Sequence, residues 1–218
     1  MEISWYGQSC FKVEGEKAVL VFDPYSEGIG FKIPNLSADV VLVTHNHPDH
    51  NNAEAIAGRT QKKPYLISGP GEYEINDVYI FGISSFHDKS QGKERGLNTI
   101  YVANIDGIKI CHLGDLGTEL SSEDLEKIGD VDILFVPVGG VYTISAEEAL
   151  SVINQIEPKV VIPMHYKIAG LKIELDDLTG FAGQVNISDA DGKEVFKVSK
   201  SQLPVEEREI VILKPQTK

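Results

Sequence analysis

The chain is short of basic residues, of cysteine and of long hydrophobic runs, and each shortage closes off a class of function. Lysine and arginine number 20 against 33 aspartates and glutamates, a formal charge of −13. So acidic a chain offers no broad basic face, which disfavours nucleic acid and anionic membrane as partners but leaves a small phosphorylated substrate open. Its only cysteines, Cys10 and Cys111, lie in apolar runs and form no CxxC pair. They read as buried free thiols, not as a disulfide or a thiolate metal site. No apolar run approaches the ~20 residues that span a bilayer, and Met1–Tyr6 has neither the basic nor the apolar region of a secretion signal. The expectation is a soluble, cytoplasmic protein. Repeats and low-complexity segments are also missing.

What remains is ordinary globular material. With 218 residues and 42% hydrophobic content, a single α/β domain over residues 1–218 is expected. The acidic patches Glu123-Asp124-Glu126 and Glu206-Glu207-Glu209 read as solvated faces. Short strands are predicted at Glu2–Tyr6, Cys10–Glu14 and Ala18–Phe22, then at Asp39–Thr44, with a short helix at Ala53–Ala57. Further strands follow at Tyr65–Ile67, Val78–Ile83, Thr99–Ala103 and Ile108–Leu113, the last two joined by the hairpin signal Asp106-Gly107. Gly69–Glu72 and Asp88–Asn98 read as loops.

The second half alternates strand and helix. Helix Ser122–Ile128, strand Asp132–Val136, helix Ser145–Ile156 and strand Val160–Met164 form a pattern whose last three members make a βαβ unit, for which parallel pairing is expected. Ser145-Ala146-Glu147-Glu148 is a capping box. Two tail strands, Glu194–Val198 and Glu209–Leu213, complete two mixed sheets with helices outside, an αββα sandwich.

The residues that carry chemistry gather at the ends of these strands. Thr44-His45-Asn46-His47-Pro48-Asp49-His50-Asn51-Asn52 puts three histidines and an aspartate into six positions directly after a buried strand. Residues two apart in an extended loop project the same way, so His45 and His47 can reach one metal while Pro48 turns Asp49 and His50 elsewhere. Imidazole and carboxylate are the ligands that zinc favours. Of the other histidines, His87 follows Val78–Phe86 and His165 follows Val160–Met164. Asp115, in His112-Leu113-Gly114-Asp115-Leu116-Gly117, also closes a strand, with glycines that permit close backbone approach.

These seven residues read as the ligands of a dinuclear site. His45, His47 and His87 would hold one ion, Asp49, His50 and His165 the other, and Asp115 would bridge them. Two ions roughly 3.5–4 Å apart clamp a hydroxide and polarise a scissile bond. Zinc is the first choice of metal, with manganese, ferrous iron or nickel as alternatives. His112, three residues before Asp115, is turned by strand alternation to the opposite face and reads as a core or supporting histidine. Asp23 reads equally as a hydrogen-bond partner of a ligating imidazole and as a plain Asp-Pro turn.

With those residues in place the sequence resembles the metallo-β-lactamase superfamily. His45-Asn46-His47-Pro48-Asp49-His50 matches its HxHxDH motif, His87 its third motif, Gly114-Asp115 its fourth and His165 its fifth. The Trp5-Tyr6-Gly7-Gln8-Ser9-Cys10 opening is similar to the branch of small metal-dependent hydrolases that includes ascorbate-phosphate lactonase and a phospholipase D acting on N-acyl lipids. The resemblance implies the αββα fold and hydrolysis of a phosphodiester, ester or lactone bond in a small-molecule substrate. Asp49 and Asp115 are the expected catalytic carboxylates. Lys89, Arg95, Tyr142, Thr143, Tyr166 and Lys167, in loops near ligand positions, are the candidates to hold substrate. The rival is a metal-loaded binding or regulatory protein of the same fold without turnover.

Overall fold

A computed structural model describes residues 1–185, 187 and 192–217. Its backbone forms two large mixed sheets. The first runs, edge to edge, Phe196–Lys197, Glu2–Trp5, Phe11–Glu14, Val19–Phe22, Val40–Leu42 and Tyr65–Ile67. The second runs Glu209–Ile210, Val160–Met164, Ile133–Pro137, Ile108–His112, Leu97–Ile105, Val78–Phe86 and Gly71–Ile75. A short two-stranded ladder pairs Ser37–Ala38 with Ala57–Gly58.

Side-chain alternation explains how the first sheet is buried on both faces. In Val19–Phe22, Leu20 and Phe22 enter the main core between the sheets, while Val19 and Val21 enter a second cluster with Tyr25, Ile29, Phe31 and Leu175. Val40–Leu42 divides the same way, with Val41 facing outward. The outer cover of this sheet is made of loops and single 3₁₀ turns. Helices Ser122–Ile128 and Ala146–Ile156 pack instead against the second sheet.

Local chemistry sets the joints that aim the strand ends. Val19–Phe22, Val40–Leu42 and Tyr65–Ile67 are parallel, so the first two end side by side. Ile108–His112, Ile133–Pro137 and Val160–Met164 are likewise parallel, the last pair joined through helix Ala146–Ile156 as expected of a βαβ unit. That helix starts on the foreseen capping box: Glu148 N–H donates to Ser145 Oγ at 3.2 Å and Ser145 N–H to Glu148 Oε2 at 2.9 Å. At Asp106-Gly107 both residues take positive φ, 53° and 74°, which is what a two-residue hairpin turn requires.

Several elements differ from expectation. Gly71–Ile75 is a strand where Gly69–Glu72 reads as a loop; it pairs antiparallel with Val78–Phe86 across Asn76-Asp77, whose φ values of 52° and 60° make a second tight hairpin. Ala53–Ala57 is only a 3₁₀ turn over Ala53–Ala55, because Ala57 N–H is drawn to Leu36 O at 2.9 Å and starts the two-stranded ladder. The tail strands shorten to Phe196–Lys197 and Glu209–Ile210, and a helix not foreseen in the tail occupies Thr179–Gln184. Among the described residues, no helix is long and apolar enough to cross a membrane. Cys10 and Cys111 are buried and unpaired.

Candidate metal centre

The site begins with Asp23, which ends the strand beside Val40–Leu42. Its carboxylate accepts Thr44 N–H at 2.8 Å through Oδ1 and the Thr44 hydroxyl at 2.8 Å through Oδ2. Because that hydroxyl spends its hydrogen on Asp23, its 2.9 Å contact with His45 Nδ1 must be donated by the imidazole. His50 Nδ1 lies 3.0 Å from Asp23 Oδ2 and, facing an acceptor, carries a hydrogen as well. One carboxylate thereby fixes both tautomers. It leaves the Nε2 atoms of His45 and His50 pointing inward, and both are buried without any hydrogen-bond partner. Buried nitrogens stripped of partners are costly unless something absent from the polypeptide completes them.

That completion has a centre. Asp115 Oδ2 lies 3.3 Å from His50 Nε2, 3.3 Å from His87 Nε2, 3.2 Å from His165 Nε2 and 3.9 Å from His45 Nε2. Candidate ligand atoms fall into three overlapping groups, His45–His47–His87, His45–His50–Asp115 and Asp49–His50–His165, with no two atoms of a group more than 4.8 Å apart. Four imidazoles facing one buried carboxylate oxygen is a donor set that fits divalent cations.

The electrostatics agree with that reading. Burial, reinforced by His50, pushes His45 down to about 2, so its ring is neutral and ready to ligate. His47 is lowered by burial and by His87. Burial opposes a charge on His50, yet Asp115 and Asp23 overcome it and hold His50 well above the imidazole range. Burial likewise works against the Asp115 carboxylate, which His165 and His50 nevertheless keep well below the usual range. In the polypeptide alone, therefore, a proton on His50 stands where a cation's charge would, and metal binding would expel it.

Close packing holds the ligands from behind. A Cβ on Gly114 would fall 2.3 Å from Asn98 Oδ1, the atom that accepts Asp115 N–H at 3.0 Å. His165 adopts a left-handed φ of 53° while its N–H donates to Gln8 O at 3.1 Å. Gln8 Nε2 also donates to Asp49 Oδ2 at 3.1 Å, and Ser9 Oγ to Asp115 Oδ1 at 3.4 Å. Gln8, Ser9, Thr44 and Asn98 all support candidate ligands, and the sequence alone points to none of them. Asp23 takes the first of its two foreseen readings. His112 is wholly buried, stacked 4.9 Å from Phe22, with Nε2 2.9 Å from Ser9 O and Nδ1 accepting Gly114 N–H at 3.0 Å. It supports the Gly114 turn and does not face the cluster.

A cavity of about 350 Å³ opens onto these groups, lined by His47, Asp49, His87, Asp115 and His165 together with Pro48, Glu94, Arg95, Tyr142 and Ile173. Of the six residues expected to hold substrate, Arg95 and Tyr142 reach it. Of the other four, Lys89, Thr143 and Lys167 have their polar ends engaged elsewhere and Tyr166 is packed into the core. The Lys89 ammonium pairs with Glu148 on the neighbouring helix. Thr143 Oγ1 turns to Ile144 O at 3.3 Å. Tyr166 is buried, its ring centroid 5.0 Å from that of Trp5. Lys167 Nζ is held by Leu171 O at 2.6 Å and Ile173 O at 2.9 Å.

Residues 2–165 match the family described as the beta-lactamase superfamily domain. A "UPF0173 metal-dependent hydrolase" of Thermococcus onnurineus is 31% identical over 215 residues, covering 86% of this chain and 96% of its own. A second protein of that description, from Thermoplasma volcanium, is 34% identical over 192 residues, 76% of this chain and 83% of its own. The solved structure of a candidate Zn-dependent hydrolase of the metallo-β-lactamase superfamily from Thermotoga maritima is 37% identical, covers 97% of both chains and superposes with a TM-score of 0.77.

Proposed function

This chain belongs to the metallo-β-lactamase superfamily as one of its metal-dependent hydrolases, and from that premise we propose that it uses two divalent cations, zinc first among them, to cleave an ester, lactone or phosphodiester bond in a small molecule. The observation that carries the reading is the convergence of four imidazole Nε2 atoms on Asp115 Oδ2 within 3.2 to 3.9 Å. His45, His47 and His87 would hold one cation and Asp49, His50 and His165 the other, with Asp115 shared between them. Bound there, the cations supply Lewis acidity towards the scissile group and bring the pKa of a water towards 7.

The polypeptide does the rest. The Asp23–Thr44 pair holds the Nδ1 edges of both rings, so His45 would present its Nε2 lone pair directly and His50 would need only to release its Nε2 proton as a cation binds. Gln8 steadies Asp49 from one side, leaving that carboxylate the group best placed to take up a proton at the cavity floor. The cavity is open enough to admit a small molecule and narrow enough to orient it, so that proximity contributes to the rate.

The test is metal analysis followed by a screen of generic esters, lactones and phosphodiesters. Two equivalents of zinc or manganese per chain and turnover of at least one substrate are expected, and Asp115→Ala should lower metal content and abolish turnover. Turnover that survives Asp115→Ala, or a protein that takes up no metal, would refute the reading. Full loading with no turnover across the panel would instead establish a binding or regulatory protein on the same site.

A further inference from the structure

Arg95 is set into the wall of the cavity in an unusual way. Its Cζ lies 5.2 Å from the centroid of the Tyr142 ring. Stacking of this kind orients a guanidinium while leaving its in-plane N–H donors available. Arg95 is the one arginine or lysine in the cavity wall among the described residues, and none of those donors is taken up by a carboxylate or a carbonyl there. Lys89 and Lys167, its basic neighbours in the sequence reading, are both tied down.

The backbone under Arg95 is prepared as well. Asp88, which directly follows His87, accepts four backbone N–H groups in the loop that it opens: Ser90 at 2.8 Å and Gly92 at 3.0 Å on Oδ1, Glu94 at 3.1 Å and Arg95 at 2.8 Å on Oδ2. His87 N–H closes the same loop onto Gly96 O at 3.1 Å. A single buried carboxylate thus ties the position of Arg95 to that of a proposed ligand. On the other side, Tyr142 is delivered by a turn in which Val141, a β-branched residue, takes a φ of 56°. Strain of that sort persists where the surroundings require it, and it clusters at functional sites.

Placing an unpaired guanidinium beside two cations is repulsive unless negative charge joins them. We propose that Arg95 is the specificity-determining residue of this site and that the substrate carries a carboxylate or phosphate group, separate from the bond that is cleaved, which the guanidinium receives. The proposal rests on the hydrolytic reading above and names the substrate class for it. Glu94, on the same wall, works against an anion; its Oε1 accepts the Ser90 hydroxyl at 2.7 Å. Repulsion from Glu94 and capture by Arg95 together would select for one group in one place.

The experiment compares zinc-loaded wild type with Arg95→Met, Arg95→Lys and Glu94→Gln, each checked first for melting temperature and metal content. Three 4-nitrophenyl esters differing only in their tails, a glutarate half-ester, its methyl-capped neutral form and a phosphonate-tailed analogue, report KM and kcat. Titration calorimetry with glutarate and with inorganic phosphate reports binding without turnover. Arg95→Met should raise KM for at least one charged ester about tenfold and weaken the matching anion equally, which is ~1.4 kcal/mol. The neutral ester should be unaffected. Arg95→Lys should recover only part of the loss, since a point charge cannot form the two-pronged contact, and Glu94→Gln should tighten the anion. Whichever charged tail loses more identifies the anion as carboxylate or phosphate. Equal effects on charged and neutral esters, unchanged anion binding in Arg95→Met, or no anion binding by wild type would overturn the proposal. If no ester is turned over, the hydrolytic reading fails on its own and calorimetry still decides Arg95.

Discussion

Gly139→Ala tests the link between the fold and the proposed second cation with one methyl group. Gly139 follows strand Ile133–Pro137 and backs directly onto the end of Val160–Met164. A Cβ there would lie 2.1 Å from His165 O, 2.8 Å from Tyr166 Cα and 3.0 Å from His165 C, whereas ordinary contact begins at 3.4 Å. All three obstacles are backbone atoms, so no side chain can rotate away. The main chain at His165 would have to retreat by about 1.3 Å, the shortfall at the carbonyl oxygen, and overpacking of this kind costs about 1–3 kcal/mol. The His165 imidazole, 3.2 Å from Asp115 Oδ2, moves with it. Misplacement on that scale costs on the order of 100-fold in rate and 10- to 100-fold in metal affinity. The His45–His47–His87 group lies on other strand ends and should keep its cation. The expected result is metal content falling from two equivalents towards one, activity down on the order of 100-fold, and a melting temperature lower by roughly 2–10 °C. Elemental analysis, zinc titration and calorimetric melting measure these. Gly183→Ala is the control: nothing lies within 4 Å of its added methyl in helix Thr179–Gln184, so stability should be unchanged or raised. Two tightly held cations and activity within twofold of wild type in Gly139→Ala would refute the reasoning.

Two further outcomes concern stability away from the cluster. Asp132, 5% exposed, accepts Lys109 N–H at 2.9 Å, Lys159 Nζ at 2.8 Å and Lys200 Nζ at 2.6 Å; burial alone would raise its pKa, but these contacts hold it below the usual carboxylate range. A folded-state pKa lower than the unfolded one stabilises above about pH 4 and is lost as pH falls through the folded value. Asp132→Asn should therefore cost about 1–2 kcal/mol near neutrality, discounted for the half-exposed lysines, and the gap to wild type in urea melts should narrow progressively as pH falls below about 4; a gap that does not narrow with falling pH would sink the assignment. Val141, 53% exposed, gives up little packing when replaced, so Val141→Asn should relieve its left-handed strain, raising stability by about 1 kcal/mol while disturbing the Arg95–Tyr142 stack little; a lower melting temperature would count against strain at this turn.

Sequence alone determined the parts of this protein whose information is local. Apolar runs with β-branched residues located most strands, the capping box located helix Ala146–Ile156, and Asp106-Gly107 located a hairpin, because each signal lies within a few residues of its effect. The same holds for His45–His50, His87, Asp115 and His165, which were legible as candidate ligands since a donor residue following a buried strand needs no partner to be recognised. The Asn76-Asp77 hairpin is equally local, but the Gly-Pro-Gly signal just before it reads as a loop and masks it. Tertiary structure decided what depends on meetings between distant segments. Asp23, equally a turn residue on its own, becomes the group that sets the tautomers of His45 and His50 only because two parallel strands end side by side. Gln8 and Ser9 reach the candidate ligands from the turn between Glu2–Trp5 and Phe11–Glu14 in the first sheet, and Asn98 from strand Leu97–Ile105 in the second. Of the six loop residues with suitable chemistry, Lys89, Thr143 and Lys167 are engaged elsewhere, Tyr166 is packed against Trp5, and Arg95 and Tyr142 remain at the cavity. Side-chain type says what a residue can bind, but only the packed chain says whether its polar end is already taken.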